Sequence, residues 1–253
     1  MLLEVFLFFA GSLAGFIDSI AGGGGLVTVP ILMILLGPDS GATAVGTNKL
    51  VAIVAAGTAL LVYMKRGHVT IKGNRRFAIC AVAGAFCGAW ASPHVPPSYY
   101  KWIIVAVAPF ILWLVFQRDW WVKKSLEHPE PISKNAKAII WTSGFIIGFY
   151  DGIAGPGGGT MMFLVLLVLA RLPLLQAMGT MKVANLSTAS IALGVYAYTG
   201  HVAWTKGLIM AVGIGGGALI GASLASSQGR APIYARGALV AVVTILIIRL
   251  ALN

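Results

Sequence analysis

Ten apolar runs lie along the chain, near residues 2–20, 26–37, 41–65, 75–92, 99–117, 137–154, 159–171, 174–199, 205–226 and 231–252. A helix needs about 20 apolar residues to cross the hydrocarbon of a bilayer. The second and seventh runs have only 12 and 13 residues. Each follows a glycine cluster, Gly22–Gly25 in the first case and Gly155 with Gly157–Gly159 in the second. The pattern predicts a short half-helix in each place, joined to its predecessor by an unwound turn. Such a break is tolerated at membrane depth only where it is buried in protein or lines a cavity. The expected fold class is an all-α integral membrane protein built from helical spans and two broken helices.

The runs also repeat. Residues 15–25 read Gly-Phe-Ile-Asp-Ser-Ile-Ala-Gly-Gly-Gly-Gly, and residues 148–158 read Gly-Phe-Tyr-Asp-Gly-Ile-Ala-Gly-Pro-Gly-Gly. Eight of these eleven positions are identical at an offset of 133 residues. The offset holds without a gap: Gly46, Thr47 and Lys49 match Gly179, Thr180 and Lys182; Tyr63 matches Tyr196; Gly67-His68-Val69 matches Gly200-His201-Val202; Gly84 and Gly88 match Gly217 and Gly221. A fixed period of this kind organises the reading of the whole chain. It predicts a first transmembrane repeat over 1–117, a linker over 118–136 and a second repeat over 137–253, with about five helical elements in each repeat.

Composition agrees with the membrane assignment. Of the 253 residues, 58% are hydrophobic and 10% charged, against roughly 25% charged in soluble domains. The net charge of +11 does not point to nucleic acid, because the basic residues fall in short connections between apolar runs, the usual topology signal of membrane proteins. Glu4 and the lack of a basic leading segment argue against a cleavable signal. The expected location is the cell inner (plasma) membrane, with multiple passes. Cys80 and Cys87 read as free thiols within one helix. No cofactor and no metal are expected.

Loop 65–76 carries Lys65, Arg66, Lys72, Arg75 and Arg76, and the linker carries Arg118, Lys123, Lys124 and Lys134. Both are expected on the cytoplasmic side. Pro129 and Pro131 argue against a continuous helix in the linker. Loop 199–207 lies at the offset from the basic loop 65–76, yet carries only Lys206. That contrast favours two repeats inserted upside down relative to each other. The competing count merges each broken helix into one crossing and gives eight spans with parallel repeats.

The block Gly-Phe-Ile-Asp-Ser-Ile-Ala-Gly-Gly-Gly-Gly followed by Gly-Thr-Asn-Lys, together with its second copy and Lys182-Val-Ala-Asn185, resembles the TauE/SafE sulfite-exporter family of membrane permeases. The resemblance spans nearly the whole chain. It implies secondary transport or export of small sulfur-containing anions such as sulfite, sulfonates or sulfoacetate. One departure is Met181, where the first copy has Asn48; the second copy's amide is Asn185, one turn further on.

The residues support an anion site on their own terms. Each glycine cluster sits at the predicted N-terminus of a short helix, where unpaired N–H groups and about half a positive charge attract anions. The expected substrate-binding residues are Gly22, Gly23, Gly24, Gly25, Asn48, Lys49, Gly155, Gly157, Gly158, Gly159, Lys182 and Asn185. The alternative is that the glycines only allow helices to cross closely. Lys49 and Lys182 either neutralise the anion or form the ion pairs Asp18–Lys49 and Asp151–Lys182. Thr47, Thr180 and Ser187 are further candidate donors. Asp18 and Asp151 either relay protons or order the glycine turns. His68 and His201 follow Gly67 and Gly200, which read as helix C-caps.

The function expected from all this is an alternating-access transporter whose partners are a small anion and the lipid bilayer, with the oligomeric state undetermined. A passive anion channel is one alternative. A membrane-embedded enzyme is another, for which four scattered histidines and two thiols supply no convincing catalytic residues.

Overall fold

The computed structural model describes residues 2–37, 39–72, 74–117, 120, 134–228, 240–246 and 248–249. Most of the linker and parts of the last apolar run lie outside the described residues. Among the described residues every regular element is a helix. They are α1 (Leu2–Ala21), α2 (Gly25–Leu36), α3 (Gly41–Lys65), α4 (Arg75–Ala91), α5 (Pro97–Phe116), α6 (Lys134–Ile153), α7 (Gly158–Leu164), α8 (Leu174–Tyr198) and α9 (Trp204–Gln228). A 3-10 turn, Ser92–His94, follows α4, and a π-turn, Val165–Leu169, extends α7. The elements follow the apolar runs to within a few residues at each end.

Among the described residues five helices are long and apolar enough to cross a membrane: Leu2–Ile20, Gly41–Lys65, Arg75–His94, Pro97–Val115 and Trp204–Ser227. The chain is a polytopic membrane protein. Helix α8 is as long as α3 but is not among the five. It spends its apolar character on Gln176, Thr180, Lys182, Asn185, Ser187, Thr188 and Ser190. A helix so polar is stable in a membrane only when wrapped by other helices, and Thr180, Lys182, Asn185 and Thr188 are all buried.

Glycine sets how the helices meet. Helices α1 and α9 pack along their length, as do α4 and α6. A Cβ at Gly217 would lie 1.8 Å from the Ser12 carbonyl oxygen, and one at Gly84 would lie 2.1 Å from that of Phe145. These backbones touch directly, as small residues allow in lipid. The contacts advance together along both chains: Gly144 meets Phe77, Gly148 meets Ala81, and Gly152 meets Ala85. Helices α4 and α6 are therefore parallel. So are α1 and α9, where Gly11 meets Met210 and Gly15 meets Ile214.

Helices α3 and α8 correspond at the offset and pack against each other in the opposite sense. Gly46, near the start of α3, lies against Tyr196 and His201 at the end of α8; Gly179, near the start of α8, lies against His68 just past the end of α3. Thr47 Oγ1 accepts from the Ala203 N–H at 2.9 Å, and Thr180 Oγ1 accepts from the Thr70 N–H at 3.1 Å. The two helices run antiparallel. Both end as their glycines predict: Gly67 and Gly200 have φ of 71° and 77°, and the N–H groups of His68 and His201 return to the carbonyls of Tyr63 and Tyr196.

Candidate functional site

Both broken helices are present. Helix α1 stops at Ala21 and α2 starts at Gly25; α6 stops at Ile153 and α7 starts at Gly158. Gly22, Gly155 and Gly157 have φ of 79°, 86° and 83°, a region open to glycine at little cost. The two turns touch. A Cβ on Gly22 would come within 3.2 Å of Gly159 and Thr160, and one on Gly25 within 3.3 Å of Pro156.

Where they meet lies a buried cavity of about 20 Å³. That is room for a water molecule. Its walls include Asp18, Gly22, Gly24, Gly25, Asn48, Lys49, Asp151, Gly155, Gly157, Gly159 and Asn185, completed by Ala52, Ala55 and Ile214. Three expected site residues are not on this wall. Gly23 is taken up by the turn, its carbonyl accepting from the Leu26 N–H. Gly158 packs against the Asp151 side chain. Lys182 is fully buried behind Asp18.

The ion pairs correct the sequence expectation. Asp18 does not pair with Lys49, nor Asp151 with Lys182. Lys49 Nζ lies 2.9 Å from Asp151 Oδ2, and Lys182 Nζ lies 2.6 Å from Asp18 Oδ2. Each lysine also donates to the backbone carbonyl of the aspartate it pairs with. The first half of the chain thus supplies the cation for the second half's Asp151, and the second half the cation for the first half's Asp18. The reason is the antiparallel packing of α3 and α8, which lays each lysine beside the broken helix of the opposite half.

The carboxylates serve the turns unequally. Asp18 Oδ1 accepts from the Gly24 N–H at 3.1 Å. A side chain thereby answers one donor at the start of α2 that the sequence pattern alone leaves free for a ligand. Asp151 Oδ2 accepts instead from Thr188 Oγ1 at 3.2 Å. Thr28 donates to Asn48 Oδ1, which leaves the Asn48 NH2 facing the turns. Its nitrogen would be 3.4 Å from a Cβ on Gly155 and 3.6 Å from one on Gly25. The Asn185 nitrogen would be 3.5 Å from a Cβ on Gly159. Both amides thus face the second turn, although their sequence positions do not correspond.

Thr28 and Thr188 carry no signal in the sequence, because the offset places Met161 and Ala55 opposite them. Two tyrosines that the repeat does pick out gain their role only in the fold. Tyr63 donates to the Ser19 carbonyl at 2.9 Å, and Tyr196 to the Gly152 carbonyl at 2.7 Å. They satisfy carbonyls left without helical partners just before the breaks. Tyr150 braces the second turn by donating to the Pro156 carbonyl at 2.6 Å. Of the other candidates, Thr47 and Thr180 pin loops, and Ser187 bonds its own helix at the Val183 carbonyl.

Paired broken helices around a buried polar cavity, in a bundle with membrane-length helices, are an arrangement that membrane transporters use. The family model for the sulfite exporter TauE/SafE matches residues 7–250, and the chain belongs to that family. It is 36% identical over 229 residues to the "Probable membrane transporter protein ORF9" of Sinorhizobium sp, covering 90% of this chain and 85% of that protein. It is 31% identical over 224 residues to the "Probable membrane transporter protein YfcA" of Escherichia coli K12, covering 88% and 81%. With the "Probable membrane transporter protein YunE" of Bacillus subtilis it shares 28% identity over 249 residues, covering 87% and 88%. No solved structure matches the chain.

Proposed function

We propose that the protein is a secondary transporter that exports small sulfur-containing anions, such as sulfite, sulfonates or sulfoacetate, by alternating access. One observation carries this reading: the two glycine turns meet across a buried cavity that also holds Lys49, Asn48 and Asn185. Backbone donors at helix starts, an ammonium and two amide groups suit an oxyanion. The family description supplies the sulfur chemistry. In this reading the two halves are an inverted pair, and the axis relating them passes between the turns. The antiparallel course of α3 and α8 and the crossed ion pairs support it.

The ion pairs give the cycle its logic. An incoming oxyanion competes with Asp151 for Lys49. Release of the carboxylate frees Asp151 to take a proton or to reorganise the second turn. The cavity of about 20 Å³ must widen to admit a sulfonate. Transport then involves separation of the two turns.

Counterflow in proteoliposomes tests the reading. Vesicles loaded with unlabelled sulfite should accumulate external radiolabelled sulfite transiently above equilibrium, and chloride loading should not produce this. Equilibration without an overshoot marks a channel. Chemical conversion of the label marks an enzyme. Either result overturns the proposal.

A further inference from the structure

A second cavity, of about 650 Å³, opens where α4 and α6 begin. It is lined by Ile71, Lys72, Arg75, Arg76, Lys137 and Trp141. The four cations are exposed, and among the described residues none of them has an ion-pair partner. Because α4 and α6 are parallel and Phe77 meets Gly144, the first turn of α4 opens beside the second turn of α6, one turn past Lys137. Neither first turn contains an acidic residue. A cation at a helix start is disfavoured, since the helix end is itself positive. Asn74, at the N-cap of α4, makes no capping bond; its side chain donates to the Thr70 carbonyl at 3.3 Å. Two guanidiniums and two ammoniums therefore converge on one space beside the uncapped start of α4.

The chain contains its own control. At the offset of 133, the mouth of the α1/α9 pair carries Trp204, Thr205, Leu208, Ile209, Glu4 and Phe8 in the corresponding places. The glycine contacts between helices recur there, but none of the basic residues does. Close packing of these helices thus does not require the charge.

We propose that this pocket binds the phosphate headgroup of an anionic phospholipid. Arg75 and Arg76 hold the phosphate oxygens, as guanidinium forks do. Trp141 forms the wall, with the Arg76 guanidinium 4.7 Å from its ring centroid; tryptophan favours the headgroup level. Ile71, 53% exposed, meets the apolar part of the same molecule. A free phosphate would leave Ile71 and Trp141 without a role, which commits the site to lipid. Basic pockets between membrane helices suit such headgroups. The neighbouring residue Thr70 bonds Thr180 and Gln176 of α8. A bound headgroup therefore steadies the loop that braces the Lys182 helix.

The test uses the full chain in neutral detergent, with thermal unfolding and native mass spectrometry as readouts. Added phosphatidylglycerol should raise the unfolding temperature and give bound-lipid adducts, and phosphatidylcholine should do neither. R75Q/R76Q should lower the apparent phosphatidylglycerol affinity at least tenfold. K101Q/K206Q, with the same change in net charge away from the pocket, should keep it. The proposal is overturned if phosphatidylcholine acts as well as phosphatidylglycerol, or if R75Q/R76Q binds normally. It is also overturned if inorganic phosphate at equal concentration stabilises as much as the lipid, because the site would then be one for a free ion.

Discussion

Lys182 shows what a single buried charge can require. It is completely shielded, and its two acceptors are the carboxylate and the carbonyl of Asp18. Removing one member of a buried pair leaves the other uncompensated, at a cost of about 3–5 kcal/mol. Lys182→Ala should destabilise by that amount in an SDS unfolding titration of micellar protein. The double variant D18A/K182A should lose less than the sum of its singles; simple additivity would show that the pair is not coupled. Lys49→Ala carries the same penalty through Asp151, so lost transport in that variant reports on folding as well as on anion binding. Thr28 offers a second functional probe. Thr28→Val keeps the shape but removes the donor that orients Asn48. We expect KM for the transported anion to rise about tenfold, equivalent to about 1.4 kcal/mol, with a stability loss of about 1–3 kcal/mol from the buried acceptor left without its donor. An unchanged KM would remove Asn48 from the site.

At the scale of elements, neighbouring glycines in α9 separate two roles. A Cβ on Gly216 meets nothing within 4 Å, whereas one on Gly217 would sit 1.8 Å from the Ser12 carbonyl oxygen. Gly216→Ala should be neutral or stabilise by up to about 1 kcal/mol, since alanine is the better helix former. Gly217→Ala must push α1 and α9 apart and should destabilise by about 1–3 kcal/mol or more, the range for overpacking. Equal effects at the two positions would refute the direct backbone contact. Gly67 isolates a third role, because its surroundings are open but its φ is 71°. Gly67→Ala should cost about 1–2 kcal/mol from backbone strain alone.

For the whole molecule, orientation is the quantity to measure. The basic loop 65–76 and the nearly neutral loop 199–207 differ in charge, and α3 and α8 run in opposite directions. Single cysteines at Lys72 and Thr205, both exposed, in a C80A/C87A background should react with a membrane-impermeant maleimide from opposite sides. Labelling from one side would support parallel repeats and remove the inverted-pair basis of the transport proposal.

The order of helices, their lengths, the two breaks and the glycine caps are all legible in the sequence. They depend on local information: apolar period, run length and residues that tolerate positive φ. The offset of 133 also singles out both lysines and both aspartates by position alone. It does not say which lysine serves which aspartate. That depends on the face one helix turns toward another and on their direction, both settled by glycine contacts between segments distant in sequence. The roles of Thr28 and Thr188 are hidden for a related reason. Each is a lone hydroxyl with no counterpart in the other repeat, and it gains meaning only once packing sets it against Asn48 or Asp151. Pattern fixes what a segment becomes, because secondary structure answers to near neighbours; pairing across the core answers to geometry that no single stretch contains.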